Sequence, residues 1–426
     1  MPEPLLTSPV TAPLNATVRP PGSKSITNRA LVCASLATGK STLTGALQSD
    51  DTQVMITGLQ QFGIDIDIQE EGKTLLVHGT SGRLPALEAN LFCGNSGTTI
   101  RFLTAVATLG HGPFRLDGVS RMRQRPIGDL LKALSQLGAK VVSEFDNECP
   151  PVSVHANGLE GGTATLRGDI SSQFLSGLML AAPAARTAVN LQIDGPLVSI
   201  PYVEMTLAGM KAFGVAVTHD PSFQQFSIAA PTPYQPGQFA IEPDASAASY
   251  FWAAAAIAGG KVLVEGLTPE SLQGDVAFVD VLERMGCELR HTDNSITVVG
   301  GQLRGIEIDM NGISDTVQTL AVVALFAKGP TTIRGVGHIR HKEPDRIGNL
   351  AVELRKLGAE VDEHQDGLTV HPGPLRAATL NTYEDHRMAM SFALAGLKIE
   401  GVRIHDPGCT AKTYPHYFED LQTVIR

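Results

Sequence analysis

Residues Pro20–Ala30 (Pro-Pro-Gly-Ser-Lys-Ser-Ile-Thr-Asn-Arg-Ala) set two cations and three hydroxyls at the head of an alanine-rich apolar run. The prolines stop any preceding strand and Gly22 permits a sharp turn. Ser23 and Ser25 are natural caps for the helix predicted from Ile26 onward. Lys24 then lies at the positive end of the helix dipole, with Arg29 about one turn further in. Free N–H groups, hydroxyls and fixed cations together form an anion site. Gly94–Arg101 (Gly-Asn-Ser-Gly-Thr-Thr-Ile-Arg) is a second turn into a helix, able to hold phosphate or carboxylate on its N–H groups. Arg121, Arg123 and Arg125 alternate with other residues, so an extended backbone would turn all three to one side. His341–Arg346 packs base, acid and guanidinium into one loop, where neighbouring charges tune pKa values. Lys412 adds a cation near another predicted helix start.

Any anion held by these groups is met locally, because the chain as a whole is acidic. It carries 33 Lys and Arg against 43 Asp and Glu, a net charge of −10 over 426 residues. With no lysine-rich run and no aromatic–basic interleaving, that balance excludes a broad nucleic-acid surface. A composition of 43% hydrophobic and 18% charged residues supplies large cores, and the length implies about two to three domains. Five scattered cysteines (Cys33, Cys93, Cys149, Cys287, Cys409) form no CxxC pair. They suit a reducing cytosol and suggest neither a disulfide framework nor a zinc site. No basic segment followed by an apolar core opens the chain, so no signal peptide is expected and the protein reads as cytoplasmic. Ala245–Gly260 is too short and too rich in small residues to span a bilayer and is predicted to be a buried helix.

The elements that must position these residues repeat along the chain. An amphipathic helix end, a glycine and a strand pair recur around Gly63, Gly138, Gly214, Gly286 and Gly358, at intervals of 75, 76, 72 and 72 residues. Glycine just past a helix, followed by alternating residues, is what a helix-to-strand turn requires. Between these lies a second piece: a polar cap, a small-residue helix, a Gly or Lys turn and a strand. It occurs six times, at 25–43, 97–116, 172–193, 245–264, 315–333 and 386–404. A solenoid would also repeat, but six units mixing helix and sheet, with discontinuous ends, argue for a closed arrangement. The reading is an α/β protein of two three-unit domains, one spanning 23–240 and the other 1–22 plus 241–426. The crossings fall near Pro21–Ser23 and after the proline-rich Pro231–Gly237. The sixth unit runs off the chain end without its strands, and the N-terminus, which holds the unassigned strand-like Thr11–Arg19, is expected to complete it, tying both chain ends into one domain.

The six helix starts differ between halves. Lys24-Ser25, Asn95–Thr98 and Ser171–Gln173 offer hydroxyls, amides and backbone donors without an acid at the tip. Asp244–Ser246, Ser314–Thr316 and Glu384–Arg387 each include an aspartate. A single aspartate there is an ordinary cap. The pattern across six copies suggests anion donors on one wall of a cleft, with acids and bases on the other.

Nine segments, in order along essentially the whole chain, resemble the 5-enolpyruvylshikimate-3-phosphate synthase family of enolpyruvyl transferases. They are PGSKSITNRAL (21–31), GNSGTTIR (94–101), RMRQRPI (121–127), ISSQFLS (170–176), VSIPYVEMT (198–206), GDVAFVDVLERMG (274–286), KEPDRI (342–347), YEDHRMAM (383–390) and DPGCTAKTYPHYF (406–418). The resemblance implies two domains, each of three βαβαββ units in an inside-out α/β barrel, closing on substrate. It implies transfer of the enolpyruvyl group of phosphoenolpyruvate to the 5-hydroxyl of shikimate 3-phosphate, with no metal or organic cofactor. By the same resemblance, Lys24, Ser25, Arg29, Ser171, Ser172, Gln173, Ser199, Tyr202, Asp315, His338 and Lys342 hold shikimate 3-phosphate. Lys24, Gly97, Arg125, Gln173, Arg346, Arg387 and Lys412 hold phosphoenolpyruvate. Glu343 is assigned as proton donor to the methylene and Asp315 as proton acceptor from the hydroxyl. Lys24 assists both substrates, and His386 with Asp385 supports Arg387.

Five positions depart from the family pattern: Ser96, Phe102, Ile200, His338 and Pro344. They imply small effects on affinity with the chemistry retained. The sister transferase acting on UDP-N-acetylglucosamine is the nearest rival, but its loop cysteine has no counterpart in 119–127. A non-catalytic anion-binding repeat protein would keep the cations without paired acids, and an RNA 3′-phosphate cyclase would need a basic face. With no long exposed apolar stripe, a monomer acting on small molecules, without nucleic acid or membrane, is expected.

Overall fold

The computed structural model describes residues 3–426. The chain divides into two compact units, Gly22–Ile241 on one hand and Met1–Pro21 with Glu242–Arg426 on the other. The first unit contains three four-stranded sheets, the second contains two more and one three-stranded sheet.

One repeat shows the plan. Strand Ala89–Phe92 leads into helix Gly97–Ala107 and then strand His111–Asp117, which lies parallel to the first with Ala89 opposite Phe114. Helix Gly128–Gln136 and the antiparallel pair Lys140–Ser143 and Val152–Asn157 finish the sheet. The order is βαβαββ. At each of the five repeated turns the glycine has positive φ, from 81° at Gly214 to 114° at Gly286. Side chains with a Cβ disfavour that conformation, so glycine marks the end of each amphipathic helix.

The small-residue helices are buried on every side, as helices apolar all round must be. All eleven residues of Gly97–Ala107 are buried, as are thirteen of the fourteen in Ala245–Ala258. Small side chains let such helices approach closely, and the polar ones bond to each other. Ser249, Thr319 and Ser391, one from each small-residue helix of their unit, form a chain of hydroxyls at 3.2 and 3.3 Å.

The first strands of two repeats are exchanged. Leu14–Val18 precedes helix Lys24–Leu36 in sequence, yet it pairs in parallel with Gly260–Glu265 in the other unit, Leu14 opposite Gly260. Gln238–Ala240 takes the corresponding place beside Lys40–Thr44. The N-terminus does complete the sixth repeat, but through Leu5–Leu6 beside Arg403–Ile404, whereas the strand within Thr11–Arg19 completes the fourth. The sixth repeat has a three-stranded sheet, in which Arg403–Ile404 lies between Thr379–Leu380 and Leu5–Leu6, and helix Tyr417–Ile425 follows it. Two-residue strands offer too little ladder for a five-residue partner, whereas Gly260–Glu265 matches Leu14–Val18 along its whole length.

Candidate active site

In Gly22–Ile241 the predicted cations gather at the starts of the three small-residue helices. Ser23 caps the first, accepting a hydrogen bond from the Ile26 amide at 3.4 Å. Lys24 opens that helix with its ammonium 4.0 Å from Asp51, an acid supplied by the following helix Asp50–Gln61. Arg29, 3% exposed, is a brace. It donates to Thr206 Oγ1 at 2.7 Å, to the Ser25 and Tyr202 carbonyls at 3.0 Å each and to Ser176 Oγ at 3.3 Å. Burial lowers its pKa to about 10, so it stays charged at neutral pH. Phe102, one of the five departures, supports it from below with its ring centre 5.3 Å away.

Gln173 joins the second and third helix starts. Its amide donates to Thr98 Oγ1 at 3.1 Å and its oxygen accepts from Arg101, which also bonds the Pro126 carbonyl and lies over the Phe174 ring. Ser171 caps the third helix, accepting from the Gln173 amide, and Ser172 is its first residue. Ser199, buried, takes φ 56° and ψ 46° at the head of helix Ile200–Ala212, which carries Tyr202. A non-glycine residue held in the left-handed region stores strain of the kind found at ligand-binding positions.

The three alternate arginines do not line one face, a correction to the extended reading. Met122–Gln124 is a short 3-10 turn, which rotates successive side chains apart. Arg123 pairs with Asp117 at 2.6 Å, Arg121 bonds Gln124, and Arg125 alone turns to the glycine loop. There it donates to the Asn95 carbonyl at 2.9 Å and packs against Gly97. A Cβ on Gly97 would stand 2.4 Å from the Arg125 Nη2. Ser96, a second departure, is simply the cap of this helix, accepting from the Thr99 amide at 3.2 Å.

In the other unit the acids and bases converge on Arg346, 1% exposed. Its guanidinium reaches Asp385 at 2.7 and 3.2 Å, Glu343 at 2.9 Å and Asp315 at 3.1 Å. Burial opposes its charge, but Asp385, Glu343 and Asp315 outweigh that and hold its pKa above the usual arginine value. Asp315 also receives Arg387 at 2.7 Å, and Glu343 receives Lys412 at 2.6 Å. Both acids singled out in the sequence thus bridge two cations each. Asp244 and Asp385 do cap their helices, accepting from the Ala247 and Arg387 amides. Asp315 lies within the 3-10 turn Asn311–Thr316, and its carboxylate meets the Arg346 and Arg387 guanidinium groups.

His386 is fully buried, its Nδ1 3.4 Å from Asp385. Lys342 ends the 3-10 turn Gly337–His341, which also carries the buried His338. Burial and then the Lys342 charge push the His338 pKa down to about 3 from 6.5. Between those values the unfolded chain takes up a proton that folded His338 refuses, so stability falls as pH drops through that window. His338→Asn should therefore flatten the pH dependence of the urea-unfolding free energy between about pH 6.5 and 4.5. Equal slopes in the two proteins would show that His338 titrates freely in the folded state.

Asp51 and Arg101 were not among the expected site residues. Arg101 lies within the glycine loop motif and could have been added from it, whereas nothing in the local sequence marks Asp51 as the partner of Lys24. Among the described residues no group of three or more His, Cys, Asp or Glu is placed to hold a metal ion, and no helix is long and apolar enough to cross a membrane.

The sequence model of the family described as EPSP synthase (3-phosphoshikimate 1-carboxyvinyltransferase) matches residues 10–421. The chain belongs to the EPSP synthase family. It is 49% identical to the 3-phosphoshikimate 1-carboxyvinyltransferase of Nostoc punctiforme, over 95% of each chain. It is 45% identical to the chloroplastic enzyme of that name from Arabidopsis thaliana, over 97% of this chain and 83% of the relative. The solved EPSP synthase structure from Acinetobacter baumannii superposes with a TM-score of 0.81 at 24% identity, covering 98% and 97% of the two chains, so the α/β architecture of small sheets is that of the family.

Proposed function

We propose that this EPSP synthase family member transfers the enolpyruvyl group of phosphoenolpyruvate to the 5-hydroxyl of shikimate 3-phosphate, releasing phosphate, on the route to chorismate and the aromatic amino acids. The observation that carries the reading is the pair of carboxylates, half-buried Asp315 and buried Glu343, each bridging two cations through the shared Arg346. The reaction needs one acid and one base, with cations for the anionic groups of both substrates.

In the first step the hydroxyl oxygen bonds to C2 of phosphoenolpyruvate. Its proton goes to Asp315, while Glu343 gives a proton to the methylene, which becomes a methyl. In the second step the C2–O bond to phosphate breaks with its electron pair, the departing oxygen takes up the proton held by Asp315, and Glu343 takes a methyl proton as the double bond re-forms. Arg125, Arg346, Arg387 and Lys412 hold the phosphoenolpyruvate carboxylate and phosphate, with Gln173 and the Gly97 backbone beside them. Forked guanidinium donors suit both groups. Lys24 serves both substrates. Ser25, Ser171, Ser172, Ser199, Tyr202, His338 and Lys342 hold shikimate 3-phosphate, and Arg29 sets Ser25 and Tyr202 in place. His386 and Asp385 keep Arg346 and Arg387 oriented.

Phosphate release should require phosphoenolpyruvate and shikimate 3-phosphate together. Release only with UDP-N-acetylglucosamine as the acceptor would overturn the assignment. Gly97→Ala supplies a sharper check on the loop. The added methyl crowds the buried guanidinium of Arg125, so the variant should lose about 1–3 kcal/mol of stability while still folding. Moving the Arg125 fork should also raise the KM for phosphoenolpyruvate by about tenfold or more, as expected for a lost charged contact. An unchanged KM would remove Arg125 from that role. The five free cysteines fit a reducing cytosol, and the protein is proposed to act there as a monomer.

A further inference from the structure

The turn that presents Asp385 and Arg387 has a strained backbone. Tyr383 and Glu384 are consecutive non-glycine residues at φ 55° and 56°, in the left-handed region that side chains with a Cβ disfavour. The Asp385 amide closes the turn on the Thr382 carbonyl at 2.9 Å, and helix His386–Ala395 follows at once. A four-residue turn with positive φ at both central positions ordinarily takes Asn and Gly there. With Tyr and Glu in those places, the surroundings must hold the turn in shape.

Helix Arg346–Lys356 supplies that support. Arg346 and Glu353 stand seven residues apart on it, two turns along one face. Arg346 grips one end of the segment 381–385 through Asp385, at 2.7 and 3.2 Å. Glu353, whose side chain is fully buried, grips the other end. It accepts from the Tyr383 hydroxyl at 2.6 Å and from the Asn381 amide at 3.0 Å. Lys356 donates to both of its oxygens, at 2.8 and 2.7 Å, so the buried charge is paired. An ion pair that only tied down the helix would need Lys356 alone. The two further bonds go to the strained turn, and the strain falls immediately before the residue that bonds Arg346.

We propose that Glu353 and Tyr383 are positioning residues for phosphoenolpyruvate: they clamp the left-handed turn, which sets Asp385 against Arg346 and the Arg387 amide and so aims both guanidinium forks. Both act through Asp385 and not by touching the substrate.

The proposal rests on the enolpyruvyl-transfer reading, and one set of measurements separates the two. Steady-state phosphate release is measured for the parent, Tyr383→Phe, Glu353→Met and Glu353→Gln, varying each substrate with the other saturating. Tyr383→Phe loses the hydroxyl and should raise the KM for phosphoenolpyruvate about threefold. Glu353→Met keeps the length of the side chain but removes both acceptors, and should raise it about tenfold or more. Glutamine can accept from the Asn381 amide while donating to the Tyr383 oxygen, so Glu353→Gln should keep most of the parent affinity. In all three, kcat and the KM for shikimate 3-phosphate should stay within about twofold of the parent, because binding lost equally from ground and transition states leaves kcat unchanged. Urea unfolding reports the stability of each variant separately. Should Glu353→Met fail to fold, Tyr383→Phe, which removes a single hydroxyl, decides alone. Lower stability with an unchanged KM for phosphoenolpyruvate, or equal rises in both KM values, would make the pair structural only and overturn the proposal. A glutamine variant as impaired as the methionine one would assign the effect to lost charge and overturn the clamp. Absence of any phosphate release by the parent would instead overturn the enolpyruvyl-transfer reading.

Discussion

Arg346→Met should destabilise the unit formed by Met1–Pro21 and Glu242–Arg426 by about 3–5 kcal/mol, the cost of breaking a buried ion pair from one side. Three carboxylates depend on this one guanidinium, and Asp385 and Glu343 are themselves buried. Removing the cation leaves each with fewer partners and no water in exchange. Methionine fills much of the volume, so the loss is electrostatic and hydrogen-bonded more than a matter of packing. Arg346→Lys should recover only part of it, because one ammonium cannot reproduce the planar fork that reaches Asp385 through two nitrogens. Urea unfolding followed by far-UV circular dichroism measures both variants. A change below about 1 kcal/mol in Arg346→Met would mean that the carboxylates find other partners or solvent, as surface ion pairs do.

Glu343→Gln should lower kcat by about 10²–10⁴-fold, the usual contribution of a positioned general acid–base. Glutamine keeps the shape and one acceptor oxygen for Arg346, but it can neither give a proton to the methylene nor take one back. Lys412 loses a charged partner 2.6 Å away, so some binding energy also goes. The signature of the catalytic role is a loss concentrated in kcat and common to the forward and reverse reactions, since the same group acts in both directions. Steady-state phosphate release and the reverse reaction from product and phosphate both report it. Turnover within about threefold of the parent would assign the methylene proton to another group.

Much of the fold and part of the site are legible in the sequence because they depend on near neighbours. The five glycines that end amphipathic helices announce themselves by spacing, and each has the positive φ that its place requires. Ser23, Ser96 and Ser171 cap helices as their position ahead of small apolar runs predicts. Asp315 stands out as the acid at a repeated helix start, and Glu343, Arg346, Arg387 and Lys412 lie within the family motifs. The alternate arginines show where such reading stops. Period-two spacing turns side chains to one face only if the backbone is extended, and a 3-10 turn sends Arg123 to Asp117 and Arg125 to the glycine loop.

Local spacing, capping and turn chemistry are written in runs of about ten residues, and from these alone the sequence specified the repeated α/β units, the polar helix starts and the family motifs. Pairing between distant segments was decided only in three dimensions. Asp315 meets Arg346 across 31 positions and Arg387 across 72, and neither bond leaves a mark in the intervening chain. Leu14–Val18 joins the sheet of the fourth repeat because a strand of its length is matched there and not in the sixth. Arg29 became a brace through what folded around it. Burial and the charges of remote neighbours are properties of the packed chain, and they determine how a residue of given type behaves.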